Sequence, residues 1–151
     1  MLKILHWMIF FFLIFNIVNA TNLEIIDGDT IKIDNIKIRF SGIDSPELSQ
    51  TCLKDNLIKK CGITARLILI NKIGKNKPIC IHEGIDRYKR ILAECYINNE
   101  SLSKFLVRKG YAFAYRSYSN KFIEDENYAR INKIGMWNMN FIYPWDFRKK
   151  K

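Results

Sequence analysis

Apolar and polar positions recur along the chain with two different periods. Ile36, Ile38 and Phe40 alternate with Lys37 and Arg39, the period of two that a half-buried strand requires. A short apolar strand over residues 23–26 and a second strand over 30–33 precede it. Asp27-Gly28-Asp29 and Asp34-Asn35 separate the three with turn chemistry. Residues 23–40 are therefore predicted to form a three-stranded meander. Residues 41–50 read as a loop punctuated by Gly42 and Pro46. Cys61, Ala65, Ile68 and Leu69 then recur at helical spacing, predicting a helix over 61–73 that Gly74 stops. Residues 78–83 and 91–98 read as a hairpin around a loop at 84–90. A short helix over 102–109 has Ser101 as its cap and Gly110 beyond its end. Tyr111 to Tyr118 is aromatic and irregular. A second amphipathic helix covers 122–134, and the tail from Trp137 ends in a frayed basic stretch, Lys149 to Lys151. Five strands in meander-plus-hairpin order, with helices before and after the hairpin, give an α+β chain suited to a small barrel. An OB-like barrel is one such solution, and its open face binds oligonucleotides.

Composition narrows this picture. The chain has 151 residues, 48% hydrophobic and 26% charged, as one globular domain requires. No repeat or linker interrupts it. The net charge of +10 favours a polyanionic partner, although Lys supplies most of it. Histidine is scarce: His6 and His82 are the only two. His6 lies in a segment expected to be removed, and His82 reads as structural. A two-histidine acid–base mechanism and a multi-histidine zinc site are thereby excluded.

Met1 to Ala20 reads as a secretory signal peptide. Lys3 is its positive end, residues 7–15 are unbroken apolar sequence, and Ala20 stands at the cleavage edge. The expected mature domain is 21–151, exported to the periplasm or beyond. The alternative is an uncleaved leader that anchors the protein to the membrane. Export gives meaning to Cys52, Cys61, Cys80 and Cys95, an even set that suits two disulfides. A hairpin turn centred between Arg87 and Tyr88 sets Cys80 opposite Cys95. Cys52 and Cys61 then close a small loop.

Candidate chemistry gathers at the bends. Asp27 and Asp29 flank a glycine between strands. Asp44 and Glu47 follow the strand that Arg39 ends. Arg87 and Arg90 lie in the hairpin loop beside Asp86 and Tyr88. Carboxylates converging from two loops suit a hard cation with oxygen ligands, and arginines nearby offer two-pronged donors to phosphate. Together these are the requirements of phosphodiester hydrolysis. The plainer expectations are that Asp27 shapes a turn, Asp86 pairs with Arg87, and Trp137 and Trp145 pack. Arg66, Arg108, Arg116 and Arg130 are expected to be solvated or ion-paired.

Three separated motifs sharpen the reading. Asp27-Gly28-Asp29-Thr30, Arg39-Phe-Ser-Gly-Ile-Asp44-Ser45-Pro46-Glu47 and Asp86-Arg87-Tyr88-Lys89-Arg90-Ile-Leu-Ala93 closely resemble, in order and spacing, the motifs of the staphylococcal-nuclease-like family, the thermonucleases. The four cysteines are similar to those of its exported, disulfide-bearing bacterial branch. The resemblance covers residues 23–145. It implies an OB-like five-stranded β-barrel with three helices and calcium-dependent hydrolysis of DNA and RNA to 3′-phosphates. It implies Asp29 and Asp44 as calcium ligands, with the backbone carbonyl of Ser45 as a third. Glu47 is implied as the general base, Arg39 and Arg90 as grips on the scissile phosphate, and Arg87 and Tyr88 as contacts to a terminal phosphate. Tyr115 and Tyr118 are candidates to stack on bases or to pack at the barrel rim. No stable protein partner is implied, and a monomer is expected. The competing function is a non-catalytic OB-type module that holds nucleic acid without cutting it.

Overall fold

The computed structural model describes residues 22–150, so the leader assigned to Met1–Ala20 lies outside the described residues. The meander is present as β1 (Leu23–Ile25), β2 (Thr30–Ile33) and β3 (Ile36–Phe40), with Leu23 facing Ile33 and Thr30 facing Arg39. β4 (Ile43–Asp44) follows at once. A hairpin of β5 (Cys52–Lys54) and β6 (Leu57–Lys59) leads into α1 (Cys61–Ile73). β7 (Ile79–Ile85) and β8 (Ile91–Ile97) form the long hairpin. β9 (Glu100–Ser101), α2 (Leu102–Arg108), β10 (Phe113–Ala114), α3 (Ile123–Ile131) and α4 (Pro144–Lys149) complete the chain.

The main sheet runs β1-β2-β3-β8-β7, with β8 parallel to β3 and β9 added beside β8. It curls as a half-barrel, the α+β, OB-like architecture expected. Ile31, Ile38 and Phe40 of the sheet pack against Leu69 and Ile73 of α1 and Leu102 and Leu106 of α2. Ser101 caps α2 by accepting a hydrogen bond from the Lys104 N–H at 3.0 Å. A second cluster joins Cys52, Cys61, Phe113 and Met136 to the aromatic C-terminal segment. Among the described residues no helix is long and apolar enough to cross a membrane.

Both disulfides are present, Cys52–Cys61 and Cys80–Cys95. Cys80 faces Cys95 across the hairpin as the register count requires. The turn itself is centred on Tyr88, since Ile85 pairs with Ile91. A bulge between His82 and Gly84 absorbs the extra residue and restores the count. His82 is exposed on this strand.

Residues 51–60, to which the sequence pattern assigned no element, form a hairpin: Asp55 and Asn56 at its turn take positive φ, 51° and 61°, as a tight hairpin turn demands. Two expectations need correction. The helix expected over 122–134 ends at Ile131. Lys149 is helical rather than frayed, while Lys151 lies outside the described residues; Pro144–Lys149 is a fourth α-helix among the described residues. Pro144 starts α4 with a pre-set φ, Asp146 lies in its first turn and Arg148 and Lys149 in its last, as the helix dipole favours.

Candidate active site

Two buried aspartates form the floor of the site. Asp29 lies between β1 and β2 and Asp44 ends β4; they are 2% and 0% exposed. The Asp29 carboxylate accepts the Ser45 backbone N–H at 2.6 Å and the Thr30 hydroxyl at 3.1 Å. Gly28 permits this approach, because a Cβ there would lie 1.9 Å from the Ser45 hydroxyl oxygen. Arg39 spans the two aspartates, pairing with Asp29 and donating to Asp44 Oδ1 at 2.7 Å. The D-G-D turn, the end of β3 and β4 therefore meet at one guanidinium. Asp27 acts as the turn residue expected, accepting the Asp29 N–H at 3.0 Å.

Burial dominates the electrostatics here. It pushes the Asp29 carboxyl up to about 7; Arg39 opposes this, Asp27 and Asp44 add to it, and the Ser45 N–H opposes it. Burial also works against the Arg39 charge, but Asp29 and Asp44 more than compensate and hold its pKa above the ordinary value.

Glu47 sits at the rim, its side chain 36% exposed. Its loop is held from two sides. The Gln50 N–H donates to the Glu47 carbonyl at 2.7 Å, and the Gln50 side chain accepts the Glu47 N–H at 3.3 Å. That same buried side chain donates to the Ile142 carbonyl at 2.6 Å, joining the loop to the C-terminal segment. On the other side the first turn of α1 closes in, tied by Cys52–Cys61.

One residue of the site escaped the sequence reading. Arg148 of α4 donates to Asp44 Oδ2 at 2.7 Å, to Asp44 Oδ1 at 3.1 Å and to Glu47 Oε1 at 2.8 Å. Burial works against its charge, yet Asp44 and Glu47 raise its pKa above the ordinary value. The only local hint was an arginine shortly after Pro144-Trp145, and nothing in its spacing pointed to residues about a hundred positions away.

The hairpin loop carries two further arginines expected at the site, Arg87 and Arg90. Asp86 pairs with Arg90 at 2.7 Å, not with Arg87 as expected, because a carboxylate at 86 also accepts the backbone N–H groups of Tyr88 and Arg90 as the loop closes. Arg87 and Arg90 both lie over the Tyr88 ring, 4.9 and 5.5 Å from its centre. Ile91 stands beside Ile38 in the parallel pair, so Arg90 directly precedes the strand that pairs with the strand of Arg39. Tyr115 stacks on Trp145, ring centres 5.7 Å apart and planes 8° apart, and Tyr118 tilts against its ring at 5.0 Å. Trp145 stacks in turn on Tyr143 at 4.6 Å, so it packs as expected; Trp137 packs edge-on against Phe113. Tyr118 is 73% exposed. Arg108 and Arg116 pair with Asp125 and Glu126, Arg66 donates to the Ile25 carbonyl and Arg130 to Asn127.

Among the described residues no group of three or more His, Cys, Asp and Glu side chains gathers as a metal cluster. The pair Asp29 and Asp44 nevertheless fits a hard cation: its donors are all oxygen, and both carboxylates are held to one guanidinium. Three carboxylates face two guanidiniums, so a cation would also offset the residual negative charge.

Comparison with known proteins covers most of this region. A family model described as staphylococcal nuclease homologue matches residues 37–139, which include Arg39, Asp44, Glu47 and Arg90 and leave out Asp29 and Arg148. A Haemophilus influenzae protein named uncharacterized endonuclease is 28% identical over 155 residues, 92% of this chain and 82% of its own. Staphylococcal-like nuclease CAN1 of Arabidopsis thaliana is 31% identical over 130 residues, 82% of this chain but 36% of its own. Succinoglycan biosynthesis protein ExoI of Rhizobium meliloti is 29% identical over 119 residues, 76% of this chain and 62% of its own.

Proposed function

The chain belongs to the staphylococcal nuclease homologues, and we propose that it is an exported, calcium-dependent nuclease that hydrolyses phosphodiester bonds of DNA, RNA or both. The observation that carries the reading is the single cluster of Asp29, Arg39, Asp44 and Glu47, drawn from three bends of the chain. A module that only held phosphate would gain nothing from three carboxylates at its binding face. Asp29, Asp44 and the Ser45 carbonyl are the groups that would hold calcium, which when bound polarises the phosphate and offsets its charge.

Glu47, at the exposed rim, takes a proton from the attacking water. Arg39 and Arg90 donate paired N–H bonds to the phosphate oxygens on which charge develops. Water oxygen bonds to phosphorus and the 5′-oxygen leaves with a proton, giving a 3′-phosphate and a 5′-hydroxyl. Asp86 holds Arg90 in place until substrate arrives. Arg87 and Tyr88 take the terminal phosphate. The two disulfides support an oxidising compartment, in keeping with export by the leader at Met1–Ala20.

The test is turnover on DNA and on RNA, in calcium and in chelator, for the protein and for Glu47→Gln, Arg39→Lys and Arg90→Lys. Calcium should be required. Each variant should lose on the order of a hundredfold or more in kcat, with a smaller change in nucleotide Kd. Full turnover in chelator, or in Glu47→Gln, would overturn the mechanism. Tight nucleotide binding without turnover in the unaltered protein would favour the non-catalytic module.

A further inference from the structure

We infer that Arg148 is a resident counter-cation on the carboxylate site, a guanidinium that must release Asp44 before a divalent cation is bound there. The inference rests on the cation reading above and adds a competitor to it. Asp44 is fully buried, and both of its oxygens already accept N–H bonds. Oδ1 takes Arg39 at 2.7 Å and Arg148 at 3.1 Å; Oδ2 takes Arg148 at 2.7 Å. A cation on Oδ2 at a bonding distance of roughly 2.3–2.6 Å would crowd a like-charged nitrogen on the same atom. One of the two guanidiniums has to withdraw.

The surroundings select Arg148. Arg39 belongs to β3, within the main sheet, with its side chain 14% exposed and tied to Asp29 as well. Arg148 is near the end of a six-residue helix, with its side chain 39% exposed, and its second partner is Glu47 at the open rim. The helix backbone is anchored independently. Trp145, one turn earlier, stacks on Tyr115 and Tyr143; Asn140 exchanges two backbone hydrogen bonds with Leu53; Ile142 holds Gln50. So the side chain moves while α4 stays. Arg148 thus serves two states. Without a cation it bonds two of the three carboxylates, offsets one unit of their charge and keeps Glu47 beside Asp44. With one, it leaves Asp44 and lowers the net affinity of the site by the cost of that exchange.

The test is calcium binding without nucleic acid, by titration calorimetry and by tryptophan fluorescence, since Trp145 shares the helix with Arg148. It uses the protein, Arg148→Met, Arg148→Lys and Asp44→Asn. Asp44→Asn should abolish or greatly weaken binding, which assigns the site. Arg148→Met should bind calcium about tenfold tighter or more, and calcium should raise its melting temperature by more than it raises that of the unaltered protein. Arg148→Lys, which keeps the charge and loses the two-pronged grip, should fall between. If Arg148→Met does not fold, Arg148→Lys decides. Unchanged or weaker calcium binding in the Arg148 variants, with Asp44→Asn still abolishing it, overturns the competitor and leaves the cation site standing. Calcium binding that is absent, or indifferent to Asp44→Asn, removes the cation site and the competitor together.

Discussion

Gly62 and Glu47 meet where the first turn of α1 crosses the carboxylate loop: a Cβ on Gly62 would lie 1.8 Å from the Glu47 carbonyl oxygen. The obstacle is backbone, so no rotamer change relieves it. Gly62→Ala should therefore move the Glu47 loop outward and cost roughly 1–3 kcal/mol of stability, as overpacking does. It should also lower kcat by far more than it weakens nucleotide binding if, as proposed, the displaced group acts on water rather than on the nucleotide. Melting temperature, kcat and nucleotide Kd measured together check this. A variant that melts lower but turns over normally would show that Glu47 does not depend on this contact.

Asp86 links stability to pH through the hairpin loop. Partial burial acts to raise its pKa, but the Arg90 N–H, the Arg90 side chain and the Tyr88 N–H outweigh it and hold the carboxyl below its ordinary 3.8. The unfolded chain then takes up the proton before the folded one does. This contribution is full above the unfolded value and is lost as pH falls through the folded value. Asp86→Asn should flatten the acid limb of a stability-against-pH profile below about pH 4, measured by chemical denaturation. An unchanged acid limb would mean that other carboxylates set it.

Tyr115 and Tyr118 should separate by what each removal costs. Tyr115 lends a face to Trp145, and so to the packing of α4, while Tyr118 is exposed. Tyr115→Ala should lower the melting temperature. Tyr118→Ala should leave it unchanged and weaken binding of single-stranded substrate by roughly 1–3 kcal/mol, the worth of one stacked base. A loss of binding without loss of stability in Tyr115→Ala would reverse the two roles.

The parts legible in the sequence were those set by short-range rules. The meander followed from alternation and turn residues, and Cys80–Cys95 from counting across a hairpin, a count that survived because the bulge at 82–84 offsets the shifted turn. The carboxylate and arginine positions were legible because each occupies a bend with a recognisable neighbour: Asp29 after Gly28, Asp44 and Glu47 around Pro46, Arg90 after Asp86. Partner choice was less so. Asp86 had two arginines within four residues, and only the closing geometry of the loop selected Arg90. α4 lay beyond local reading, since six residues make a weak helix by themselves and this one is held by Trp145 stacked on Tyr115 and Tyr143. Its arginine meets Asp44 across 104 residues of chain. An ion pair of that span has no period and no motif. It exists because Leu53, Gln50 and the aromatic cluster bring the end of the chain back over the carboxylates, and only the folded structure places the positive charge there.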